Sequence, residues 1–224
     1  MDLQGKIFNF LGDSITEGVG VSNRENNRYD RVVLRKCGLK AANNYGISGT
    51  RIAHQTHPSE NSSYDLCFCG RASRMAPTAD VVVVYGGVND YIHGDAPFGA
   101  EGDTTPATFC GGVECLMSIL QRTYPDAVIV FMTPARMRSL DFYDTQPSNR
   151  PEKQSDEKPL AAYVDVIKAA GMRHNIPVLD LYTKLPIDPK IAEDGERYTI
   201  DGLHFNDDGH AVLADCLIDF LNKL

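Results

Sequence analysis

The sequence predicts an α/β fold in which a parallel sheet of about five strands is covered by helices on both faces. Short apolar segments bounded by Gly, Pro, Asp or Asn alternate with longer segments of helical character. This alternation is typical of a parallel sheet, because each crossover helix packs on one of its faces. With 224 residues, 42% of them hydrophobic, residues 1–224 are predicted to form a single domain around one large core.

Five segments are predicted to be strands, because each is short, largely apolar and followed by residues that favour turns. The predicted strands are Lys6–Leu11, Ala42–Ile47, Val81–Tyr85, Ala127–Met132 and Val178–Leu181.

Four segments between and after these strands suit helices. Three of them end shortly before a Gly or Pro: Tyr29–Cys37 before Gly38, Thr108–Tyr124 before Pro125 and Pro159–His174 before Pro177. The fourth is C-terminal, with apolar residues recurring on one helical face. These residues are Leu213, Leu217, Phe220, Leu221 and Leu224. The remaining polar stretch, Thr133–Lys158, is predicted to be a long loop, and long loops in compact domains often serve function.

Composition narrows the classes of partner. The net charge of −8 at pH 7 argues against a surface that binds nucleic acid or anionic lipid. No apolar run approaches the ~20 residues of a membrane-spanning helix, and the N-terminus does not resemble a signal peptide. The six cysteines lack the spacing of a disulfide framework, so reduced thiols and a cytoplasmic location are expected. The oligomeric state is left open.

Four stretches of polar residues and glycine mark the expected site. Three directly follow the first three predicted strands, and the fourth lies beyond the fifth strand. Ligands of open parallel sheets bind outside the carboxyl ends of the strands. The four stretches are Gly12–Ser14, Ser48–Thr50, Gly86–Asp90 and Asp201–His204.

These stretches contain the groups that nucleophilic catalysis requires. Ser14 needs a base to take its proton during attack, and histidine is the usual base. Asp201, three residues before His204 on a turn formed by a glycine, is placed to orient that base. A tetrahedral intermediate also needs donors for its negative oxygen. The Ser14 and Gly49 N–H groups and the Asn89 amide are the candidates.

Each of these residues also has a purely structural interpretation. Ser14 and its neighbours fit a helix cap, Gly49 a turn glycine, and Asn89 a loop-closing turn. His210 is a rival base at the predicted start of the last helix. We prefer His204 because of its spacing from Asp201.

Taken together, the four stretches resemble the SGNH hydrolases, also called the GDSL family of esterases and lipases. The similarity runs from Gly12 to about Gly209 through the blocks GDSITEG, NNYGISGTRI, GGVND and DGLHFNDDGH. The resemblance implies Ser14 as nucleophile, with Asp201 and His204 completing a catalytic triad. It also implies Gly49 and Asn89, with the Ser14 N–H, as the oxyanion hole. The sequence departs from the family pattern at two positions. The third block reads GGVND where the family more often has Thr after Gly, and the first block has Ile15 where the name GDSL has Leu. Both departures leave the reactive groups intact.

The resemblance further implies a flavodoxin-like three-layer α/β/α sandwich and a serine ester hydrolase without cofactor. The expected partner is a small-molecule acyl ester with a short acyl group, an acetylated sugar being one candidate. An acyltransferase with the same triad and a catalytically idle small-molecule binder stay open as alternatives. Tyr91 and His93, which follow the third block, and Asp13 are expected to bind substrate.

A second cluster has residues of the zinc-binding type. His54, His57, Cys67 and Cys69 lie within a short stretch. The C-x-C spacing is tighter than that of structural zinc sites, so no metal is predicted, and the histidines and thiols are expected to be unrelated.

Overall fold

The computed structural model describes residues 1–138 and 158–224 of the chain. Its sheet has five parallel strands in the order β2-β1-β3-β4-β5, as in flavodoxin-like folds. The strands are β1 (Ile7–Gly12), β2 (Ala41–Gly46), β3 (Val81–Tyr85), β4 (Val128–Met132) and β5 (Val178–Leu179). The predicted three-layer sandwich is therefore confirmed. Most of the predicted loop Thr133–Lys158, residues 139–157, lies outside the described residues.

Nine α-helices lie in the two described ranges. They are α1 (Ser14–Glu17), α2 (Tyr29–Cys37), α3 (Phe68–Arg71), α4 (Val88–Ile92), α5 (Phe109–Thr123), α6 (Leu160–His174), α7 (Leu181–Lys184), α8 (Ala192–Tyr198) and α9 (Asp207–Leu221). The sequence did not predict α1, α3, α4, α7 and α8, because helices this short show no apolar periodicity. None of the nine is long and apolar enough to cross a membrane.

Side chains along each strand alternate between two cores, one on each face of the sheet. In β3, Val81, Val83 and Tyr85 face the core that also contains residues of α2 and α9. Val82 and Val84 face the core that contains residues of α5 and α6. Because both faces are covered, the strand is apolar at every position, as the sequence VVVVY indicates.

Strand β5 is shorter than predicted. It ends at Leu179, and the next residue caps a helix: the Asp180 carboxylate accepts a hydrogen bond from the Thr183 N–H at 3.2 Å. This local cap competes with extension of the strand.

Helix α9 has the predicted apolar face with one exception. Its N-cap is Asn206, and Leu213, Leu217 and Leu221 are fully buried. Leu224 lies beyond the end of the helix and is 48% exposed.

The carboxyl end of β1 is the centre of the functional edge. Gly12 is in register with Gly46 on one side and with Tyr85 on the other. The chain passes from β1 to β2 at one side and later to β3 at the other, which opens a crevice at this point. A Cβ on Gly12 would lie 2.0 Å from the Thr16 hydroxyl oxygen and 2.9 Å from the Tyr85 carbonyl oxygen. Glycine therefore allows the turn into α1 to pack tightly against the sheet.

Candidate active site

Ser14 is the first residue of α1, directly after the central strand. The Asp13 carboxylate accepts a hydrogen bond from the Ile15 N–H at 3.1 Å and caps the helix. The helix ends after one turn at Gly18, whose φ is 91°. The Ser14 hydroxyl oxygen lies 2.9 Å from Nε2 of His204. The structure thus brings together two residues that are 190 positions apart in the chain.

Asp201 holds the His204 ring through a tight turn. One carboxylate oxygen lies 2.6 Å from Nδ1 of His204, and the other accepts the backbone N–H groups of Leu203 at 2.9 Å and His204 at 2.7 Å. Gly202, with φ of 84°, provides the left-handed residue that closes the turn. Burial would raise the pKa of Asp201, but the hydrogen bonds and the charge interaction with His204 outweigh it, so the pKa lies below 3.8.

This geometry determines what the imidazole can do. A charged Asp201 carboxylate favours a proton on Nδ1 of His204. In that tautomer Nε2 is an acceptor, and it faces the Ser14 hydroxyl. His204 is therefore within direct hydrogen-bond distance of Ser14 through Nε2 and of Asp201 through Nδ1, which is the order that a catalytic triad requires.

His210, the rival base, is a packing residue. It is fully buried, its Nδ1 accepts the Tyr29 N–H at 3.2 Å, and its ring stacks on Tyr29 with centroids 5.9 Å apart. Burial lowers the pKa of His210 to about 3. Its ring does not line the cavity beside Ser14.

The three candidate oxyanion donors surround one cavity. Gly49 has φ of 74°, so it is a turn glycine as well as a cavity residue. Within the described residues, neither the Ser14 N–H nor the Gly49 N–H has a hydrogen-bond acceptor. The buried Asn89 amide donates one hydrogen to the Thr50 carbonyl oxygen at 3.2 Å, which fixes its orientation and leaves its second hydrogen for a ligand.

The cavity has a volume of about 610 Å³, in the range of small-molecule sites. One part of its wall is formed by five residues of the segment 58–64, in which the sequence shows no motif of the predicted site. Its lining residues are Ser14, Val19, Ser48, Gly49, Arg51, Pro58, Ser59, Glu60, Asn61, Tyr64, Asn89, Ile92, His93, Asp201, Leu203 and His204.

The expected substrate-binding residues occupy different places. His93 lines the cavity, but Tyr91 and Asp13 do not. The Tyr91 ring instead packs against Tyr163 with centroids 5.6 Å apart, because the turn of α4 directs it toward α6. Asp13 is buried beneath Ser14, and burial raises its pKa to about 6. Both are therefore corrected from cavity residues to supporting ones.

Arg51 binds several residues of the cavity wall, and no pattern in the sequence predicted this role for Arg51. Its guanidinium donates to the Ser59 hydroxyl at 3.0 Å, to the Tyr64 carbonyl at 3.3 Å and to the His93 carbonyl at 3.3 Å. The side chain is only 4% exposed. One cation thus joins the Pro58–Tyr64 wall to the end of α4.

Asp90 anchors the loop that carries Gly49. Its buried carboxylate accepts the N–H groups of Ile52 and Ala53, each at 2.9 Å. Burial raises the pKa of Asp90 to about 6, although the two backbone hydrogen bonds and Arg51 oppose the rise. Asp90, the residue after Asn89, therefore supports the loop that carries Gly49.

The residues of the zinc type do not converge. His54 Nδ1 lies 4.0 Å from Cys67 Sγ, whereas His57 pairs with Asp95 at 3.0 Å and the Cys69 thiol donates to the Gly112 carbonyl at 3.3 Å. The part of the chain that the structure describes holds no group of three His, Cys, Asp or Glu residues arranged to bind a metal ion.

The sequence profile of the GDSL-like lipase/acylhydrolase family matches residues 10–212. No curated protein matches the chain significantly. Among solved structures, a protein from Lactobacillus plantarum is similar with 28% identity, a TM-score of 0.80 and 98% coverage of both chains. A lipase/acylhydrolase from Enterococcus faecalis has 21% identity, a TM-score of 0.65, and 97% and 96% coverage of this and that chain. A variant of an acetyl-xylooligosaccharide esterase from Geobacillus has 20% identity, a TM-score of 0.62, and 99% and 96% coverage. The last two show similarity of fold.

Proposed function

Since the chain belongs to the GDSL-like lipase/acylhydrolase family and is a carboxylic ester hydrolase, we propose that it cleaves short-chain acyl esters through a covalent acyl-enzyme on Ser14. The observation that carries the proposal is the pair of contacts at His204: 2.9 Å to the Ser14 hydroxyl and 2.6 Å to the Asp201 carboxylate. Residues 1–224 act in this proposal as a single catalytic domain, because Ser14 at the end of β1 meets Asp201 and His204 from the connection between α8 and α9 in one site.

In the proposed reaction, the Ser14 oxygen attacks the acyl carbon while Nε2 of His204 takes its proton. The resulting oxyanion accepts hydrogen bonds from the N–H groups of Ser14 and Gly49 and from the Asn89 amide. As the tetrahedral intermediate collapses, the alcohol leaves with the proton from His204. Water then attacks the acyl-enzyme with His204 again acting as base, and Ser14 is regenerated. Asp201 stays charged and stabilises the imidazolium.

The cavity favours a short acyl group together with a polar alcohol. Its volume of about 610 Å³ is sufficient for an acetyl group and one sugar-sized alcohol. Hydroxyl, amide and charged groups from Ser48, Ser59, Glu60 and Asn61 line it and can bind hydroxyls of the substrate. The substrate named for the Geobacillus neighbour, an acetylated xylo-oligosaccharide, is therefore a suitable first probe.

Labelling with a fluorophosphonate tests the proposal directly. The probe should add one adduct to the wild-type protein, and peptide mapping should place it on Ser14. Ser14→Ala should remove the adduct and nearly all esterase activity, whereas Ser73→Ala, which changes an exposed serine, should keep both. A wild-type protein that is folded but neither labelled nor active on acetyl esters would instead indicate a small-molecule binder.

The acceptor of the acyl group is determined by product analysis. With nitrophenyl acetate as donor and a sugar or another alcohol added, hydrolysis should give free acetate as the main product. Transfer of most acetyl groups to the added alcohol, even when water is in excess, would replace the hydrolase with an acyltransferase that uses the same residues.

A further inference from the structure

Arg71, the last residue of α3, binds the carboxyl ends of two strands. One Nη atom donates to the Tyr45 carbonyl of β2. The other donates to the Gly12 carbonyl of β1 at 2.7 Å and to the Thr50 hydroxyl at 2.7 Å, and Nε donates to the Leu66 carbonyl at 2.9 Å. Arg71 lies outside the four sequence blocks of the candidate site.

Two of these acceptors, the Gly12 carbonyl and the Thr50 hydroxyl, lie next to the candidate site residues. Gly12 is two residues before Ser14, and Thr50 directly follows Gly49. A single guanidinium therefore contacts both the segment that leads to the nucleophile and the loop that presents an oxyanion donor. Because the guanidinium is planar and its donors have fixed directions, it sets the separation of these segments more rigidly than a flexible ammonium would.

Thr50 connects the guanidinium to the third candidate donor. Its hydroxyl accepts from Arg71 and itself donates to the Ile47 carbonyl at 2.7 Å. Its carbonyl oxygen accepts from the Asn89 amide at 3.2 Å. Thr50 is fully buried, so a shift of its loop would move both the Gly49 N–H and the acceptor that orients Asn89.

The guanidinium of Arg71 also packs on an aromatic ring. It lies over the ring of the fully buried Phe68, 4.8 Å from the ring centroid. Burial lowers the pKa of Arg71 to about 10, against the opposing charge of Asp13, so the side chain is still a cation at neutral pH. Its donors bind backbone carbonyls and a hydroxyl, which is the pattern of a residue that organises the main chain.

We propose that Arg71 is a positioning residue that fixes the oxyanion loop relative to Ser14, and so controls the rate of acyl transfer more than the binding of substrate. The inference rests on the proposed function, since it assigns Arg71 to the Ser14 site. A loop displaced by a fraction of an ångström still admits substrate, but its donors no longer match the developing oxyanion.

Two substitutions test the inference from opposite ends of one hydrogen bond. Arg71→Lys keeps the charge but loses the fixed array of donors, and we expect kcat per folded molecule to fall by about 10–100-fold with KM within about twofold of wild type. Thr50→Val removes only the hydroxyl, and a loss of about fivefold is expected. Thr50→Ser should retain more activity than Thr50→Val. Arg74→Met, at an exposed arginine three residues along, is the matched control and should match wild type.

The rate of inactivation by a fluorophosphonate gives a second readout, because its phosphoryl oxygen needs the same donors. This rate should fall in parallel with kcat in Arg71→Lys and Thr50→Val, while thermal unfolding shows which variants are folded. The positioning role is overturned if either folded variant keeps the wild-type kcat and inactivation rate. It is also overturned if the only change in either variant is a higher KM. Failure of the proposed function looks different, since wild-type protein itself would then carry no adduct at Ser14.

Discussion

Glu17 accepts two hydrogen bonds from Ser48, one from the backbone N–H at 2.8 Å and one from the hydroxyl at 2.5 Å. Glu17 ends the one-turn helix that begins at Ser14, and Ser48 directly precedes Gly49. Burial would raise the pKa of Glu17, but these bonds and the nearby Arg24 hold it below its usual value, so the carboxylate is charged at neutral pH. Helix α1, which carries Ser14, and the loop that carries Gly49 are thereby joined by a second contact, independent of Arg71.

The first prediction follows from this tie. Both Ser48 bonds end on the same Glu17 oxygen, so Glu17→Gln keeps an acceptor but removes its negative charge. Both bonds are then weaker, and we expect kcat per folded molecule to fall by about tenfold with little change in KM. Esterase kinetics on nitrophenyl acetate would measure this. Glu25→Gln, at an exposed glutamate, is the control and should behave as wild type. A Glu17→Gln enzyme as active as the control would show that the contact has no kinetic role.

The second prediction separates the two histidines. His204→Ala should lower kcat by about 10⁶-fold, as in the strongest precedents for loss of a triad base. Asp201→Asn should cost about 10⁴-fold, because it disturbs the tautomer but keeps the ring. His210→Ala should lower the melting temperature, since it removes a buried ring stacked on Tyr29, but leave the activity of each folded molecule intact. The opposite pattern, with His210 essential and His204 dispensable, would reassign the base.

The third prediction concerns Asn89. Its amide should bind the oxygen more strongly as negative charge develops, so Asn89→Ala should lower kcat by about 10²–10³-fold with KM nearly unchanged. Asn89→Asp should be at least as damaging, because a carboxylate accepts hydrogen bonds but cannot donate them.

The control for Asn89 is a comparison of kcat per folded enzyme with the melting temperature. If Asn89 only supports the Thr50 carbonyl, the variants should melt earlier while each folded molecule remains fully active. That result would remove Asn89 from the oxyanion hole.

The fourth prediction concerns the acyl chain. The wild-type enzyme should cleave nitrophenyl acetate faster than the octanoate, because the wall fastened by Arg51 closes the cavity. Arg51→Met loses the bonds to Ser59, Tyr64 and His93, and should raise KM for the acetate and increase the relative rate on the octanoate. Rates over a series of chain lengths measure both effects. A wild-type preference for long chains would exclude the short-acyl proposal.

The fifth prediction concerns Asp13 and pH. Burial raises the pKa of Asp13 from 3.8 to about 6, so the folded protein holds this proton more tightly than the unfolded chain. The contribution of Asp13 to the free energy of unfolding should therefore fall as pH rises from about 4 to about 6 and stay level above that. Since one pKa unit corresponds to about 1.4 kcal/mol, the fall should be at most about 3 kcal/mol.

Asp13→Asn isolates this contribution, because Asn keeps the helix cap but cannot titrate. The stability of wild type relative to this variant, from urea unfolding, should be higher near pH 4 than near pH 7. Asp219→Asn, at an exposed carboxylate, controls for the general effect of charge. A constant difference between wild type and Asp13→Asn at both pH values would contradict the raised pKa of the buried Asp13.

Much of the fold was determined by local sequence. Apolar segments such as VVVVY must be buried on both faces, and their alternation with amphipathic segments leaves few topologies other than a covered parallel sheet. The prediction was wrong where a local cap intervened: Asp180 ends β5 early because its carboxylate binds the first turn of α7. The short helices were also missed, since four to seven residues cannot show a periodicity.

The candidate reactive groups Ser14, Asp201 and His204 were predicted from sequence, because they lie in short motifs with recognisable chemistry, and the structure brings them into contact through His204. Their supports were not predicted. Arg51 and Arg71 act through carbonyl oxygens of residues such as Gly12, Tyr45 and Tyr64, and every residue offers a carbonyl, so no side-chain pattern marks the acceptor. Tyr91 likewise turned toward α6 instead of the cavity, because helix rotation decides where a side chain points. Which residues touch is fixed only when the whole chain packs, and here that packing determined the cavity wall and the contacts that hold the loop carrying Gly49.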